Sequence, residues 1–218
     1  MQKRKIIFRE CSHVNKQGFT LVETLVAIAI FVIGIQATVM LASKTIQNKS
    51  YAMEMGKSSF VVSRSIGDLT QYIRRARQSD AGSYPIVSAD KNDFVFYSDY
   101  NKDDKTERLH VYLTGGKVYM KVCVPSETFP KTYTTCAETT RLLADHIVNT
   151  TSDPLFSYYN KDYPGGANNP VATPADVSEI RLVKIFLKIN INPNRAPDNI
   201  QQETFVELRN LNDYDRLH

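Results

Sequence analysis

The sequence lacks any Cys-x-x-Cys pair, which removes a four-thiolate zinc site from consideration. It also has no nucleophile-elbow, His-Glu-x-x-His, phosphate-loop or dinucleotide-binding motif. Only four histidines are present. Of these, His110 stands beside Tyr112 on an alternating stretch and His146 falls in a short apolar run, and both read as packed or surface residues. No internal repeat is visible. An excess of positive charge on a folded surface is missing too. The chain holds 27 basic and 23 acidic residues, but Lys3, Arg4, Lys5, Arg9 and Lys16 stand against Glu10 alone in residues 1–18. The remaining 200 residues carry 22 of each sign, so the net charge of +4 belongs to the leader. A basic nucleic-acid-binding domain is thereby excluded. Most of the 12 tyrosines are assigned to core and sheet packing rather than to an adhesive or base-stacking surface.

Cysteine is scarce, with three in 218 residues. Cys11 lies in the leader, whereas Cys123 and Cys136 lie far downstream with 12 residues between them. If the leader is removed, an even pair remains, which an oxidising compartment would use as a bridge; two separate buried thiols are the competing reading. The 42% hydrophobic and 23% charged content fits one large domain, or one domain with an appendage.

What the sequence does have is one long apolar run. Residues 24–43 are 20 consecutive positions without a charge. At about 1.5 Å per residue, a helix of this length crosses the roughly 30 Å hydrocarbon layer. Lys44 and Lys49 close the run, and the basic leader precedes it. Positive charge before the span keeps that end cytoplasmic and sends everything after Lys44 outward. A cleaved secretory signal has an apolar region of about 7–15 residues, shorter than this one, and Met40-Leu41-Ala42 is a poor cleavage site. A plain signal anchor leaves Glu23 unexplained. A charge costs about 2.5–3.5 kcal/mol at the membrane centre on insertion scales, and less near its edge, so such a carboxylate calls for a partner.

The segment Lys16-Gln17-Gly18-Phe19-Thr20-Leu21-Val22-Glu23-Thr24-Leu25 closely resembles the cleavage and methylation site of type IV prepilins. The resemblance implies cleavage between Gly18 and Phe19 by a membrane-embedded prepilin peptidase, with N-methylation of Phe19. It also implies that Glu23 serves assembly, pairing with the N-terminal amine of a neighbouring subunit. Glycine at the scissile bond allows close approach of the backbone to the peptidase.

Beyond the apolar run the helical period continues. Met55, Val62, Ile66, Leu69 and Ile73 form one stripe, and Lys57, Arg64, Asp68, Gln71 and Arg75 another. The expectation is one helix from Phe19 to about Gln78, with Gly34, Gly56 and Gly67 as weak points. The turn residues 79–83 would end it before Pro85. Strands are expected at residues 93–98 and 109–114, and then, after the hairpin signal Gly115-Gly116, at 118–124. Further strands are expected at 183–192, where Val183 to Ile191 alternate with Lys184 to Asn192, and at 204–209. Residues 160–177, rich in Pro, Gly, Asn and Ala, read as a long exposed loop. The fold class is α+β: a long N-terminal helix, transmembrane in its first half, packed on an antiparallel sheet, pilin-like in architecture. The expected divisions are a leader (1–18), the transmembrane and assembly half of the helix (19–43), its amphipathic half (44–78) and an extracytoplasmic β-rich domain (79–218).

Residues 96–113, 153–159, 179–189 and 207–211 further resemble minor pilins and J-type minor pseudopilins of type II secretion systems. That resemblance is looser than the prepilin site. Retention of Glu23 departs from the K-type tip subunit.

One loop has the spacing of a metal site. Asp99, Asn101, Asp103 and Glu107 place oxygen ligands at alternating positions, as calcium loops do. Asp104 stands where an EF-hand has glycine, and no glutamate sits at the twelfth position. A solvated turn between strands is the simpler reading. No other cofactor is expected.

The function that follows is non-enzymatic: a minor pilin or pseudopilin, processed and then assembled into a type IV pilus or type II secretion pseudopilus. Its expected partners are the prepilin peptidase, other pilin or pseudopilin subunits, the assembly machinery of the inner membrane, and lipid before assembly. Nucleic acid is expected only if the chain serves a competence system. The expected location is the bacterial inner membrane, single-pass with the C-terminal domain outside, and then the filament. The competing reading is a signal-anchored extracytoplasmic enzyme or ligand-binding domain.

Overall fold

The computed structural model describes residues 18–165, 169–191 and 199–211. Residues 1–17, with Cys11 and His13, lie outside the described residues, as do Asn192 and His218. The chain divides into two compact units, residues 1–51 and 52–218.

A single helix, α1 (Leu21–Arg74), runs through the division. In the first unit every residue from 18 to 50 is exposed. The hydroxyls there turn back on their own helix. Thr38 Oγ1 donates to the Ile35 carbonyl at 2.8 Å, Ser43 Oγ to Val39 at 2.9 Å and Thr45 Oγ1 to Leu41 at 2.8 Å. Such bonds let polar side chains sit in an apolar medium without unsatisfied donors. The helix is unbroken through Gly34, Gly56 and Gly67, so none of them acts as a break.

In the second unit α1 buries the stripe that its period marks out: Met55, Val62, Ile66, Leu69 and Ile73 are all buried. The helix stops at Arg74, four residues short of the expected end. The Ala76 amide tightens onto the Ile73 carbonyl at 3.0 Å, and the Arg77 amide turns away to the Tyr97 carbonyl at 3.1 Å. Residues 79–83 then form the turn, with Gly82 at φ +83°.

Among the described residues, eight strands follow in two antiparallel sheets where one sheet was expected. The first sheet is a meander of β1 (Ile86–Ala89), β2 (Asp93–Ser98), β3 (Glu107–Thr114), β4 (Lys117–Cys123) and β5 (Glu138–Ala144). The second orders β6 (Phe156–Tyr159), β7 (Leu182–Ile189) and β8 (Ile200–Glu207). The β3–β4 hairpin turns at Gly115 and Gly116, whose φ angles of +55° and +70° are those of a primed turn. Alternation is clearest in β7, where Val183, Ile185, Leu187 and Ile189 are buried and their neighbours half-exposed.

The inner faces meet in one core. Val62, Ile66, Leu69 and Ile73 share it with Phe94, Phe96, Leu109, Val111 and Met120 of the first sheet, and with Phe156, Tyr158, Val183, Ile185 and Leu187 of the second. The Phe94 ring lies 4.9 Å from Phe96, 5.4 Å from Phe156 and 5.5 Å from Tyr158, tying the two sheets together. Polar contacts hold the C-terminal end of α1 and the segment that follows it. Ser98 Oγ donates to the Tyr72 carbonyl at 2.8 Å, and Asn210 Nδ2 donates to that of Ala76 at 2.8 Å.

Several expectations need correction. Val124 lies outside β4 and is exposed, because the chain leaves the sheet once Cys123 is reached. Ile191 lies beyond the end of β7, and β8 begins at Ile200, four residues early. The loop over residues 160–177 is not wholly exposed. The Val171 amide donates to the Tyr158 carbonyl and the Ala175 amide to that of Ala89, each at 2.8 Å, which buries Ala175.

Candidate functional site

Three groupings carry the candidate residues. The first is the turn between β2 and β3. Here one oxygen each of Asp99, Asp103 and Glu107 lies within 4.8 Å of the others. Asp99 organises the turn: its Oδ1 accepts from the Lys102 amide at 2.6 Å and the Asp103 amide at 3.2 Å, and its Oδ2 from the Asp104 amide at 3.3 Å. Asp104 adopts φ +67°, the left-handed conformation for which glycine is the usual choice, so its side chain does not prevent the bend. Asn101 is not one of the converging carboxylates. Its Nδ2 donates to Asp103 Oδ2 at 2.9 Å and braces that side chain.

Glu107 differs from its neighbours. It opens β3 in the same phase as Leu109 and Val111, and it is fully buried. Its Oε2 accepts one long bond, from the Tyr100 amide at 3.4 Å, and its Oε1 is buried without a hydrogen-bond partner. Burial pushes its carboxyl up to about 7, and the nearby charges of Asp103 and Asp99 push the same way. Among the described residues, the cation paired with the cluster is Arg77, whose Nη2 lies 3.7 Å from Asp99 Oδ2. Lys105 is turned instead to Glu127, at 3.0 Å.

The second grouping lies on the other face of the first sheet. Cys123 and Cys136 are joined in a disulfide with Cα atoms 5.4 Å apart. Cys123 is buried there with Tyr97 and Tyr133, whose rings are 4.9 Å apart, in a small second core. The Tyr133 hydroxyl donates to the Thr106 carbonyl and accepts from the Asp80 amide at 3.2 Å, which anchors the far end of the loop after β4. Of the histidines, His110 bonds Asp93 across the β2–β3 ladder at 2.7 Å, and His146 lies 3.0 Å from its neighbour Asp145. Neither is placed with a nucleophile.

The third grouping is the start of α1. Gly18 and Phe19 precede the helix and are exposed, so no helical hydrogen bond closes over the peptide between them. Thr20 caps the helix: its Oγ1 accepts from the Glu23 amide at 3.3 Å, and its carbonyl accepts from the Thr24 amide at 3.2 Å. Glu23 is therefore the third residue of the first turn, where a carboxylate is favoured by the helix dipole. Motif reading alone passes over Thr20. Its signal is nonetheless in the sequence, because Thr-x-x-Glu ahead of an apolar run is a capping box.

Residues 14–35, which include this segment, match the family profile described as "Prokaryotic N-terminal methylation motif". Its N-terminus is that of the type IV prepilin-like family. The comparison with curated proteins returned no significant match. The motif supports a pilin-type subunit of a type IV pilus or pseudopilus. The prepilin-like helix is also the one helix among the described residues that is long and apolar enough to cross a membrane, consistent with membrane anchoring.

Proposed function

We propose that the chain is a minor pilin-like subunit, cut between Gly18 and Phe19, methylated at Phe19, and incorporated into a type IV pilus or a type II secretion pseudopilus. The observation that carries this reading is the methylation motif at residues 14–35, together with the apolar, exposed stretch of helix over residues 21–50 that begins within it. Before assembly, lipid of the inner membrane covers that surface, with the basic leader on the cytoplasmic side and the β-rich unit outside. In the filament, the apolar helices of neighbouring subunits replace lipid. Glu23 then takes the freed N-terminal amine of a neighbour as its cation, which offsets the cost of a carboxylate at the edge of the apolar run. The role is assembly rather than turnover. Within the family, the loose likeness of residues 96–113 and 179–189 to J-type minor pseudopilins supports that subclass.

Intact-mass and N-terminal analysis of the protein from hosts with and without the prepilin peptidase tests the reading. The expected result is a chain beginning at methylated Phe19 only where the peptidase is present. A chain that keeps its leader in both hosts would overturn it in favour of a signal-anchored domain.

A further inference from the structure

We propose that the basic cleft where α1 ends binds an acidic segment of a partner protein. Three observations carry the assignment, and none depends on processing at Gly18. The first is the convergence of cations. A cleft of about 730 Å³ is lined by Arg74 from the last turn of α1, Arg75 and Arg77 just after it, Lys102 from the turn after β2, and Arg209. Arg209 opens the short 3-10 helix Arg209–Leu211 that follows β8. Among the described residues that line the cleft, Asp99 is the one carboxylate. Residues 19–218 carry equal numbers of each sign, so the fold itself makes this local excess by gathering three separated parts of the chain.

The second is the want of internal partners. Arg74, Arg75, Lys102 and Arg209 form no salt bridge among the described residues. Asp99 is already engaged by Arg77 at 3.7 Å and by the amides of Lys102, Asp103 and Asp104. The negative end of the helix dipole accounts for Arg74 in the last turn of α1. It does not account for Lys102 and Arg209, which arrive from other elements. Like charges gathered in this way repel one another, and a cleft lined by one sign concentrates ligands of the other. Arg77 is held in position there, with Nε donating to Thr106 Oγ1 and Nη2 to the Asp104 carbonyl, each at 2.9 Å.

The third is the chemistry of the lining. The planar fork of arginine matches a carboxylate bidentately, and arginine clusters are a recurring means of reading acidic motifs. The cleft also offers acceptors. Asn210 Nδ2 is committed to the Ala76 carbonyl at 2.8 Å, which leaves its Oδ1 to accept, and the Gln71 amide both donates and accepts. An acidic peptide brings backbone N–H donors together with its carboxylates and can use both kinds of group. A phosphate group brings acceptors alone. The volume falls within the roughly 300–1,000 Å³ of ligand-sized clefts, so it suits a short segment.

The test uses the full chain in non-ionic detergent at low salt, titrated calorimetrically with a glycine-flanked peptide of consecutive aspartates and glutamates. Binding should be saturable, weaken as salt is raised, and vanish when the peptide carries asparagine and glutamine instead. Arg74→Gln and Arg209→Gln, both at exposed positions without a salt bridge, should melt with the wild type. Each should weaken binding about tenfold, the order of one charge-assisted hydrogen bond. Lys117→Gln, at an exposed lysine outside the cleft, should change nothing. Absence of binding, or equal loss from Lys117→Gln, would overturn the site. Binding of inorganic tripolyphosphate that Arg209→Gln abolishes, with no binding of the peptide, would overturn the peptide assignment in favour of a phosphate ligand.

Discussion

Two stretches of the same helix have opposite relations to their surroundings. Residues 21–50 of α1 bury nothing, although Leu, Ile, Val and Phe recur throughout them. From residue 52 onward polar residues are interspersed through the helix, and the apolar side chains of its stripe are buried at helical spacing. The backbone is the same in both. What differs is where the apolar area is removed from water, at about 25 cal/mol per Å². The second stretch finds its cover within its own chain. The first finds none among the described residues of its own chain.

The most direct way to break this contrast is to make one substitution in each stretch. Leu69 is 1% exposed and Leu41 is 66% exposed. Leu69→Ala should cost about 2–5 kcal/mol and lower the melting temperature of the detergent-solubilised chain by many degrees. Leu41→Ala should leave that melting within experimental error. Equal losses at the two positions would mean that the first stretch also contributes to the fold.

Reduction of the Cys123–Cys136 bridge sharpens the contrast from the other side, since it acts on the second unit alone. A closed loop of this size is worth about 3 kcal/mol in the chain-entropy model. Reductant, or the paired Cys→Ser change, should therefore lower the thermal transition without altering the helical signal of the first stretch at low temperature. Unchanged melting under reductant would show that the bridge does not constrain the unfolded chain.

The smallest effect concerns glycine. A Cβ at Gly67 would meet open space, and the position is exposed within the helix. Gly67→Ala should raise stability by about 0.5–1 kcal/mol, readable as a small rise in melting temperature. Gly34→Ala, in the stretch that bears no part of the core, should give no such rise in the same melt.

How much of this was legible in the sequence depends on the kind of signal. The buried stripe of α1 and the strands around Phe94, Val111 and Ile185 follow from periods of 3.6 and 2, which write burial directly into residue order. β1, β5 and β6 left weaker marks. They are short, or, like β5, an edge strand with mostly exposed side chains, so alternation had little to act on. The second sheet was hidden because pairing between distant strands leaves no mark in local order. At the candidate sites, Gly18 and Glu23 were visible as a motif. The special position of Glu107 was visible only in principle. It shares the phase of Leu109 and Val111, so alternation already placed it on the buried face, but its spacing to Asp99 and Asp103 was the more conspicuous pattern. Nothing in the sequence indicated that its Oε1 would find no donor.

The loop between Cys123 and Cys136 has one further consequence. It carries Phe129, 89% exposed, and an exposed loop of this kind is where proteases enter first. The disulfide spans the loop, so a single cut within residues 124–135 would sever the backbone without releasing either fragment. Cut protein would migrate as intact on a non-reducing gel and separate only with reductant. The five-stranded sheet would keep β5 beside β4 after the backbone between them was gone. That bridge turns scission of an exposed loop into a cut that leaves the two parts of the unit covalently joined.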